Sequence, residues 1–359
     1  MDDKQNSNGM RKDLHAYREM IDETIKEYYS KEASRRDYTS SFYRKLHANT
    51  EDFVLSGGKR LRPLLLLISY LGYSPEGTDV KKALKAAASV EVLHSFLLVH
   101  DDIVDKDDMR RGKPAMHARI TPHIPQGITS PEDIAIILGD MIMFHSLDLV
   151  LDSDIEPKRI VKALKVLTDA SINTAIGEMY DLLDNNKSLT KTEFEHILFV
   201  MTYKTSRYTI SMPLAMGAIL AGNEKNPEDF DEIANLLGVA FQLQDDLLGV
   251  FGEVEKIGKS ITSDVEEGKK TLIMKWLYDE STDDEKKFIL ENLGKGEIGK
   301  EEFERIRALI LKHGIKERIE KYIEEMLDEA REEVKGLGMN KKSTDLLLYL
   351  IDILAGRES

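Results

Sequence analysis

Apolar residues recur at intervals of three and four along almost the whole chain, and no stretch shows the sustained alternation of a half-buried strand. This pattern predicts an all-α fold. A first helix is predicted from near Arg11 through Tyr28, a second segment around Tyr38 to Leu46, and a third from near Pro63 to about Leu71. Further helices are predicted over residues 79–111, 132–151, 157–183, 192–220, 229–251 and 346–354, with loops at 112–131 and 256–270.

The helical pattern predicts one domain. A length of 359 residues would by itself suggest about two domains, but no convincing linker interrupts the pattern. Residues 1–10 are polar and acidic and are predicted to be disordered. Residues 11–359 are predicted to form a single all-helical domain.

The composition limits which ligands the chain can bind. Fifty Lys and Arg against 65 Asp and Glu give a net charge of -15, which disfavours nucleic acid and anionic membranes as partners. The absence of cysteine excludes disulfides, thiolate zinc sites and iron–sulfur clusters, so any metal would have oxygen or imidazole ligands. Residues 1–10 lack the features of a secretory signal, and the apolar run Leu64–Leu71 is too short to cross a bilayer. A soluble, cytoplasmic protein without a transmembrane segment is expected.

Two aspartate clusters are candidates for metal binding. Asp101 and Asp105 share one face at the carboxyl end of a long apolar helix, where the helix dipole and mutual repulsion disfavour carboxylates unless a cation or solvent relieves them. Mg²⁺ would do so, because it takes one or two carboxylates and further ligands from a phosphate. Asp245 and Asp246 lie inside a second apolar helix. A solvated helix end and a structural salt bridge are the alternatives, but two such pairs together favour a shared cage for Mg²⁺ and a diphosphate.

Basic residues supply the complementary charge. Lys59, Arg60 and Arg62 follow two glycines at a predicted helix amino terminus, which is a favourable place for an anion. Arg110 and Arg111 directly follow the first acidic cluster. Lys204, Lys259, Lys269 and Lys270 are further candidates, although each alone is as well explained as surface charge. The residues Gly252, Gly258, Lys259 and Ser260 approach a nucleotide-binding P-loop, but the spacing and the preceding helix exclude one.

These motifs together resemble a known family. Gly-Gly-Lys-Arg-Leu-Arg-Pro, Asp-Asp-Ile-Val-Asp with Arg-Arg-Gly, Lys-Thr, Phe-Gln-Leu-Gln-Asp-Asp, Gly-Lys-Ser and Glu-Gly-Lys-Lys-Thr occur in that order between Gly57 and Thr271. The set resembles the trans-isoprenyl diphosphate synthases of the polyprenyl synthetase family, and in particular the short-chain geranylgeranyl diphosphate synthases of archaeal type. The resemblance implies a large bundle of mostly antiparallel helices around a substrate cavity. It also implies a homodimer.

The resemblance implies a reaction and a role for each matching residue. The family joins an allylic diphosphate to isopentenyl diphosphate and releases pyrophosphate. Several Mg²⁺ ions would be held on the allylic diphosphate by Asp101, Asp102, Asp105, Asp245 and Asp246, which with Lys204 form the catalytic set. The same diphosphate would be surrounded by Arg110, Lys204, Thr205, Gln242, Lys259 and Lys269. Isopentenyl diphosphate would be bound without metal by Lys59, Arg62, His94 and Arg111. From the sequence alone His94 is a core histidine, and only the resemblance assigns it to this site.

Product length in the family depends on bulk below the first aspartate motif. Phe96 precedes Asp101 by five residues, about 7.5 Å along a helix. The helical wheel would instead choose Leu97 or Leu93, whereas the resemblance makes Phe96 the pocket floor. A short-chain product follows, with geranylgeranyl diphosphate first and farnesyl and geranylfarnesyl diphosphates as alternatives.

Three departures from the family pattern stand out: Gly249 replaces the third aspartate of the second motif, Glu178 replaces a common glutamine, and the loop at 118–133 is longer. Two other classes share features with this sequence. A terpene cyclase or head-to-head synthase would not need the complete isopentenyl site. A non-catalytic synthase subunit would usually lack aspartates of one motif.

Overall fold

The computed structural model of the protein describes residues 2–36, 40–125, 127–184, 188–252 and 262–356, without the side chains of residues 2–6 and 263. The fold is all-α, as predicted. The α-helices are, in chain order, α1 (Asp2–Arg35), α2 (Ser41–Val54), α3 (Leu61–Tyr73), α4 (Leu84–Val104), α5 (Met116–Ile120), α6 (Pro131–Leu151), α7 (Pro157–Asp184), α8 (Phe194–Met201), α9 (Met212–Ala221), α10 (Asp231–Phe251), α11 (Ser263–Glu267), α12 (Leu272–Glu280), α13 (Asp283–Asn292), α14 (Lys300–Lys312), α15 (Ile315–Gly336) and α16 (Lys341–Leu354).

Shorter elements connect these helices. Four 3₁₀ turns cover Val80–Ala83, Thr121–His123, Leu189–Lys191 and Pro227–Phe230. A π-helix, Thr202–Ser211, continues α8 directly into α9. Within the described ranges the only strands are β1 (Met109–Arg110) and β2 (Lys113–Pro114), which form a small antiparallel hairpin.

The chain divides into two compact units. The first comprises Met1–Val166, Pro213–Asn226 and Met339–Tyr349, and the second comprises Leu167–Met212, Pro227–Gly338 and Leu350–Ser359. The prediction that residues 11–359 form a single domain therefore stays a prediction.

The first unit is built around α4, which packs on α1, α3 and α6. Leu64 to Ile68 of α3 are almost completely buried, which agrees with the strongly apolar sequence of that helix. Helix α6 starts with a capping box: the Ser130 hydroxyl accepts from the Asp133 amide, and the Asp133 carboxylate accepts from the Ser130 amide. Pro131 then occupies the first helical position, where a proline is tolerated. Local sequence therefore fixes the start of α6.

In the second unit, α10 packs against the π-helix and α15. The buried side of α15 is an apolar stripe at helical spacing: Ile315, Ile319, Ile323, Leu327, Ala330 and Val334. Gly238 of α10 lies directly against Ser206, where a Cβ atom would come within 2.2 Å of the serine hydroxyl. The close approach of α10 to the π-helix therefore requires a glycine at this position.

The structure differs from the predicted elements at several boundaries. Helix α1 begins at Asp2 rather than near Arg11, where a disordered segment was predicted, because extending an existing helix costs much less than nucleating one. The helix predicted over 79–111 ends at Val104 and is followed by the β1–β2 hairpin. The loop predicted at 112–131 contains α5, and the helix predicted over 192–220 is π-helical in its middle. Most of the loop predicted at 256–270 falls outside the described residues.

Two helices are long and apolar enough to cross a membrane by length and composition alone, Val80–Val104 and Pro131–Leu151. In the first, 67% of the most apolar window is buried inside the protein, and in the second 44% is buried. Helices that form the core of a soluble protein meet the same criterion, so the finding is weak evidence for a membrane span. Neither helix contains Leu64–Leu71, the apolar run that stands out in the sequence.

Candidate active site

The carboxyl end of α4 carries the first aspartate cluster. Asp102 is completely buried, whereas Asp101 and Asp105 are half-buried. Arg110 bridges this cluster: its guanidinium contacts Asp101 at 2.9 Å, forms a close ion pair with Asp102 and lies 3.6 Å from Asp107. These carboxylates raise the pKa of Arg110 although its burial opposes ionisation. The repulsion expected at this helix end is thus partly balanced by an arginine.

The turn after α4 places Arg110 and Arg111 by an unusual backbone conformation. Lys106 and Arg111 both have positive φ angles, 58° and 55°, and Gly112 follows at 72°. Residues other than glycine adopt this left-handed region rarely, and such positions cluster at functional sites. The strained turn reverses the chain so that Arg110 returns to the aspartates of the helix that precedes it.

Arg111 and His94 form the centre of a basic pocket in the first unit. The Arg111 guanidinium donates to the Gly57 carbonyl at 2.7 Å and lies 3.2 Å from Nε2 of His94. A Cβ atom at Gly58, whose φ is 113°, would come within 3.0 Å of the same guanidinium. Gly58 therefore allows the loop before α3 to pass close to Arg111.

His94 is buried and neutral. Desolvation lowers its pKa well below 6.5, and the charges of Arg62 and Arg111 lower the pKa further. Because the imidazole carries no charge, Nε2 can accept a hydrogen bond from Arg111 and Nδ1 carries the proton. The structure thus brings His94, Arg62 and Arg111 together, as the resemblance implies, and Lys59 lies exposed on the adjoining loop.

Arg60 has a different role from its neighbours. It is 3% exposed, pairs with Asp22 and Glu91 at 2.8 Å each, and donates to the carbonyl of Val54. These partners engage Nε and Nη1 of the guanidinium, so Arg60 ties α1, α2 and α4 together. The sequence alone groups Arg60 with the cations available to an anion, because Asp22 and Glu91 are distant from it along the chain.

The predicted chain-length residues differ in their exposure. Phe96 and Leu97 are half-buried, whereas Leu93 is 1% exposed. The Phe96 ring packs edge-on against His100, with the ring centroids 4.8 Å apart. Gly139 of α6 faces the same histidine so closely that a Cβ atom would lie 2.5 Å from its ring. Phe96 therefore packs against a histidine that itself lies close to α6.

The second aspartate motif lies on α10 in the second unit. Asp245 is exposed, and Asp246 is only 5% exposed. Gln242 donates from Nε2 to Oδ1 of Asp246 at 3.0 Å and accepts from the Thr205 hydroxyl at 3.3 Å. Three of the predicted site residues, Thr205, Gln242 and Asp246, are therefore joined in one hydrogen-bonded chain.

The surroundings of Asp246 oppose its ionisation. Desolvation raises its pKa to about 8, and the nearby charges of Asp264 and Asp245 raise it too, while Gln242 and Lys269 act in the opposite direction. No hydrogen bond to Oδ2 of Asp246 is present among the described residues. A positive charge placed next to Oδ2 would favour the ionised form of Asp246.

Lys204 is held by two carboxylates of α7. Its Nζ lies 2.6 Å from Asp181 and 2.9 Å from Glu178. Lys204 belongs to the π-helix, an element that is frequent at functional sites. A Cβ atom at Gly177 would lie 2.3 Å from the Lys204 amide nitrogen, so this glycine allows α7 to reach the lysine.

Asp181 is a contact of Lys204 that was not predicted from the sequence. It lies three residues after Glu178, so the helical spacing could have indicated that both carboxylates share a face.

On the segment after α11, Lys269 pairs with Asp264 at 3.4 Å and with Glu267 at 3.0 Å. Lys259, the remaining predicted contact, lies outside the described residues.

The residues of both aspartate motifs fit a magnesium ion. Their potential ligands are all carboxylate oxygens, which hard divalent cations prefer. The Oδ2 atom of Asp246 supplies a buried oxygen without a hydrogen bond in the described part of the chain. In the first unit, Asp101 and Asp105 are half-buried and offer carboxylate oxygens of the same kind.

The sequence model of the family described as polyprenyl synthetase matches residues 43–310. The chain belongs to the polyprenyl synthetase family. Among characterised members, a short chain isoprenyl diphosphate synthase of Methanocaldococcus jannaschii is 32% identical over 79% of this chain and 78% of that protein. A geranylgeranyl diphosphate synthase of Saccharolobus solfataricus is 35% identical over 78% of this chain and 80% of that protein.

A solved polyprenyl synthetase has the same fold. The crystal structure of geranylgeranyl pyrophosphate synthase from Corynebacterium glutamicum, complexed with isoprenyl diphosphate and magnesium, superposes with a TM-score of 0.86. It is 25% identical, and the match covers 96% of this chain and 99% of that one. The family and the all-α fold implied by the motifs are therefore confirmed.

Proposed function

We propose that this polyprenyl synthetase condenses allylic diphosphates with isopentenyl diphosphate and releases pyrophosphate. The product would be a short-chain trans-prenyl diphosphate. Geranylgeranyl diphosphate is the product we propose, and farnesyl and geranylfarnesyl diphosphates are the alternatives. The names of the relatives from Methanocaldococcus jannaschii and Saccharolobus solfataricus support this product class.

The basic pocket of the first unit is the observation that carries the proposal. A neutral, buried His94 lies beside Arg111 and within the field of Arg62, and Lys59 is on the adjoining loop. Such a pocket suits a diphosphate that is bound without a metal ion, because charged hydrogen bonds from arginine match its oxygens. A cyclase or a head-to-head synthase would not need it. Isopentenyl diphosphate is the substrate we assign to this pocket.

We propose that the allylic diphosphate is bound by the two aspartate motifs. Asp101, Asp102 and Asp105, with Asp245 and Asp246, would hold Mg²⁺. When bound, the ions would neutralise charge on the departing pyrophosphate. Arg110, Lys204, Thr205, Gln242, Lys259 and Lys269 would surround the same diphosphate.

Arg110 and Lys204 are each paired with carboxylates in this structure. A bound diphosphate would compete with those carboxylates for both cations. The apolar surroundings of the motifs would exclude water from the reacting carbon atoms. The released pyrophosphate would accept the final proton, so no side chain of the protein needs to act as a general base.

The product length would be set on α4. Phe96 and Leu97 are exposed enough to contact the growing prenyl chain, whereas Leu93 is buried in the core. The Phe96 ring is supported by His100, so it would resist displacement. We therefore assign the pocket floor to Phe96.

We propose that the protein acts in the cytoplasm as a homodimer formed through α6. Ile137, Phe144 and Leu151 recur at intervals of seven residues on this helix and are 56%, 61% and 60% exposed. A continuous apolar stripe of this kind is typical of a surface that another protein covers. A second copy would align the same stripe with itself about a two-fold axis. Analytical ultracentrifugation should show a dimer, and Phe144→Glu should shift it to monomer. An unaltered chain that sediments as a monomer would contradict this assignment.

Steady-state kinetics of Arg111→Gln tests the proposed substrates separately. The KM for isopentenyl diphosphate should rise by more than tenfold, because a charge-assisted hydrogen bond contributes about 1.5–3 kcal/mol. The KM for the allylic diphosphate should change by less than threefold. Asp101→Ala should instead abolish turnover, and activity within a few-fold of the unaltered enzyme would contradict the metal assignment. Equal effects of Arg111→Gln on both KM values would contradict the separate pocket.

A further inference from the structure

The turn between α2 and α3, which carries Lys59, has an unusual backbone. Gly57, Gly58 and Arg60 have positive φ angles of 70°, 113° and 52°, and both glycines are exposed. Glycine loses more conformational freedom on folding than any other residue, so a turn of this kind needs contacts from outside to keep one conformation. The contacts that hold the turn therefore also decide where the side chain of Lys59 begins.

Two arginines outside this turn hold it in place. Arg111 donates to the carbonyl of Gly57 at 2.7 Å. Arg119 of α5 donates from Nη2 to the hydroxyl of Ser56 at 3.0 Å. The hydroxyl of Ser56 donates in turn to the carbonyl of Asp52, near the end of α2. Ser56 is thus linked to Arg119 on one side and to α2 on the other.

The guanidinium of Arg119 makes a second contact, with the β1–β2 hairpin. Its Nε atom donates to the carbonyl of Pro114, in β2, at 2.7 Å. The same group lies over the ring of Phe53, in α2, with 5.4 Å between Cζ and the ring centroid. This contact is attractive because the face of an aromatic ring is negative. One planar group therefore joins the hairpin that includes Arg111 to the turn that carries Lys59.

We infer that Arg119 is a positioning residue for the basic pocket of the first unit. It holds the turn at Ser56 against the β1–β2 hairpin, and so fixes Lys59 relative to Arg111. The inference rests on the proposed function, because it assumes that this pocket binds isopentenyl diphosphate. Arg119 acts through Ser56 and Pro114 and needs no contact with the substrate itself. Its effect is therefore expected on isopentenyl diphosphate and not on the allylic diphosphate.

A cation at position 119 could instead act by its charge alone, by attracting the diphosphate. Arg119→Lys separates the two roles, because lysine keeps the charge but has one nitrogen where the arginine uses two in a fixed geometry. Ser56→Ala removes the acceptor in the turn and leaves every charge in place. Arg159→Gln is the matched control, because Arg159 also donates to a main-chain carbonyl, that of Leu220 at 3.3 Å, and pairs with Glu156.

Isothermal titration of isopentenyl diphosphate into the full-length chain in EDTA tests the inference without catalysis. The dissociation constant should rise by about tenfold in Arg119→Gln and by about threefold or more in Arg119→Lys, since charge-assisted hydrogen bonds are lost. Ser56→Ala should raise it by about threefold. Adding Ser56→Ala to Arg119→Gln should change it by less than about twofold further, because both substitutions remove the same contact. Arg159→Gln should leave it within about twofold, and circular dichroism confirms that each variant is folded.

Steady-state kinetics separates positioning from a general loss of structure. In Arg119→Gln the KM for isopentenyl diphosphate should rise by about tenfold, and the KM for the allylic diphosphate should change by less than about twofold. Unchanged binding in Arg119→Gln, full binding in Arg119→Lys or equal effects on the two KM values would each overturn the inference. Should Arg119→Gln not fold, Ser56→Ala decides, because it removes a single hydroxyl, and unchanged binding there would overturn the inference as well.

Failure of the inference can be told apart from failure of the proposed function. An unaltered chain that does not elongate would refute the proposed function. An elongating chain whose KM for isopentenyl diphosphate is the same in Arg119→Gln would refute only the role of Arg119.

Discussion

Gly177 provides a sharp test of how the second unit positions Lys204. A Cβ atom at Gly177 would lie 2.3 Å from the Lys204 nitrogen, 2.7 Å from its Cα atom and 2.7 Å from the Tyr203 carbonyl carbon. These are backbone atoms, so they cannot rotate away as a side chain would. Gly177→Ala should therefore force α7 and the π-helix apart by about 1 Å, since unstrained carbon contacts lie near 3.5–4.0 Å.

The expected change in the free energy of unfolding of Gly177→Ala is the sum of two opposing contributions. Replacing a helical glycine by alanine stabilises a protein by about 1 kcal/mol where there is room. Overpacking of this kind costs about 1–3 kcal/mol and sometimes more. Because the contacts involve the backbone, we expect the upper end of that cost and hence a net loss of about 2 kcal/mol. For a chain of this length, that corresponds to a fall in Tm of about 3 °C.

Gly9→Ala is the matched control. Gly9 is also helical, and a Cβ atom there would meet nothing within 4 Å. Its Tm should stay constant or rise by about 1–3 °C. Thermal melting followed by circular dichroism measures both variants, and kcat/KM should fall by at least tenfold for Gly177→Ala only. Equal melting temperatures and equal activities for the two variants would refute the close approach of α7 to Lys204.

Three further changes have defined expected outcomes. Glu178→Gln should lower the KM for the allylic diphosphate by about fivefold, equivalent to about 1 kcal/mol, because one carboxylate no longer competes for Lys204; Glu178→Asp, which keeps the charge, should not. Phe96→Ala should lengthen the product by at least one isoprene unit in a chain-length analysis, and unchanged products would move the floor to Leu97. Burial lowers the pKa of His145 to about 4, below the unfolded value near 6.5, so the unfolded chain takes up that proton first as pH falls. The contribution of His145 to the free energy of unfolding should be complete above pH 6.5 and should decrease by about 3 kcal/mol by pH 4. In urea titrations, the free energy of unfolding of His145→Phe should depend correspondingly less on pH.

The sequence contained enough information for the fold class and for the family, whereas the roles of the site residues stay predictions. Helical periodicity located α3, α6 and α10 within a few residues, because their apolar faces are long and their ends carry clear signals such as Ser130 and Pro131. The ordered motifs predicted the family correctly. They also placed His94 beside Arg111, a contact that no local pattern indicates.

What the sequence did not reveal depends on contacts between distant residues. The role of Arg60 is set by Asp22 and Glu91, which are far from it along the chain. The π-helical turns around Lys204 have no local signal that distinguishes them from an ordinary helix. The contact of Arg119 with Ser56 joins α5 to the turn after α2, 63 residues earlier in the chain. In each case the tertiary structure, and not local propensity, decides the role.

The most direct test of the account is chain-length analysis of the products. Purified protein would be incubated with Mg²⁺, labelled isopentenyl diphosphate and, in turn, dimethylallyl, geranyl or farnesyl diphosphate, with EDTA in a parallel reaction. We predict extension of the allylic starters to geranylgeranyl diphosphate, and no extension in the presence of EDTA. Absence of extension with every starter would contradict the account and would favour a cyclase or a non-catalytic subunit.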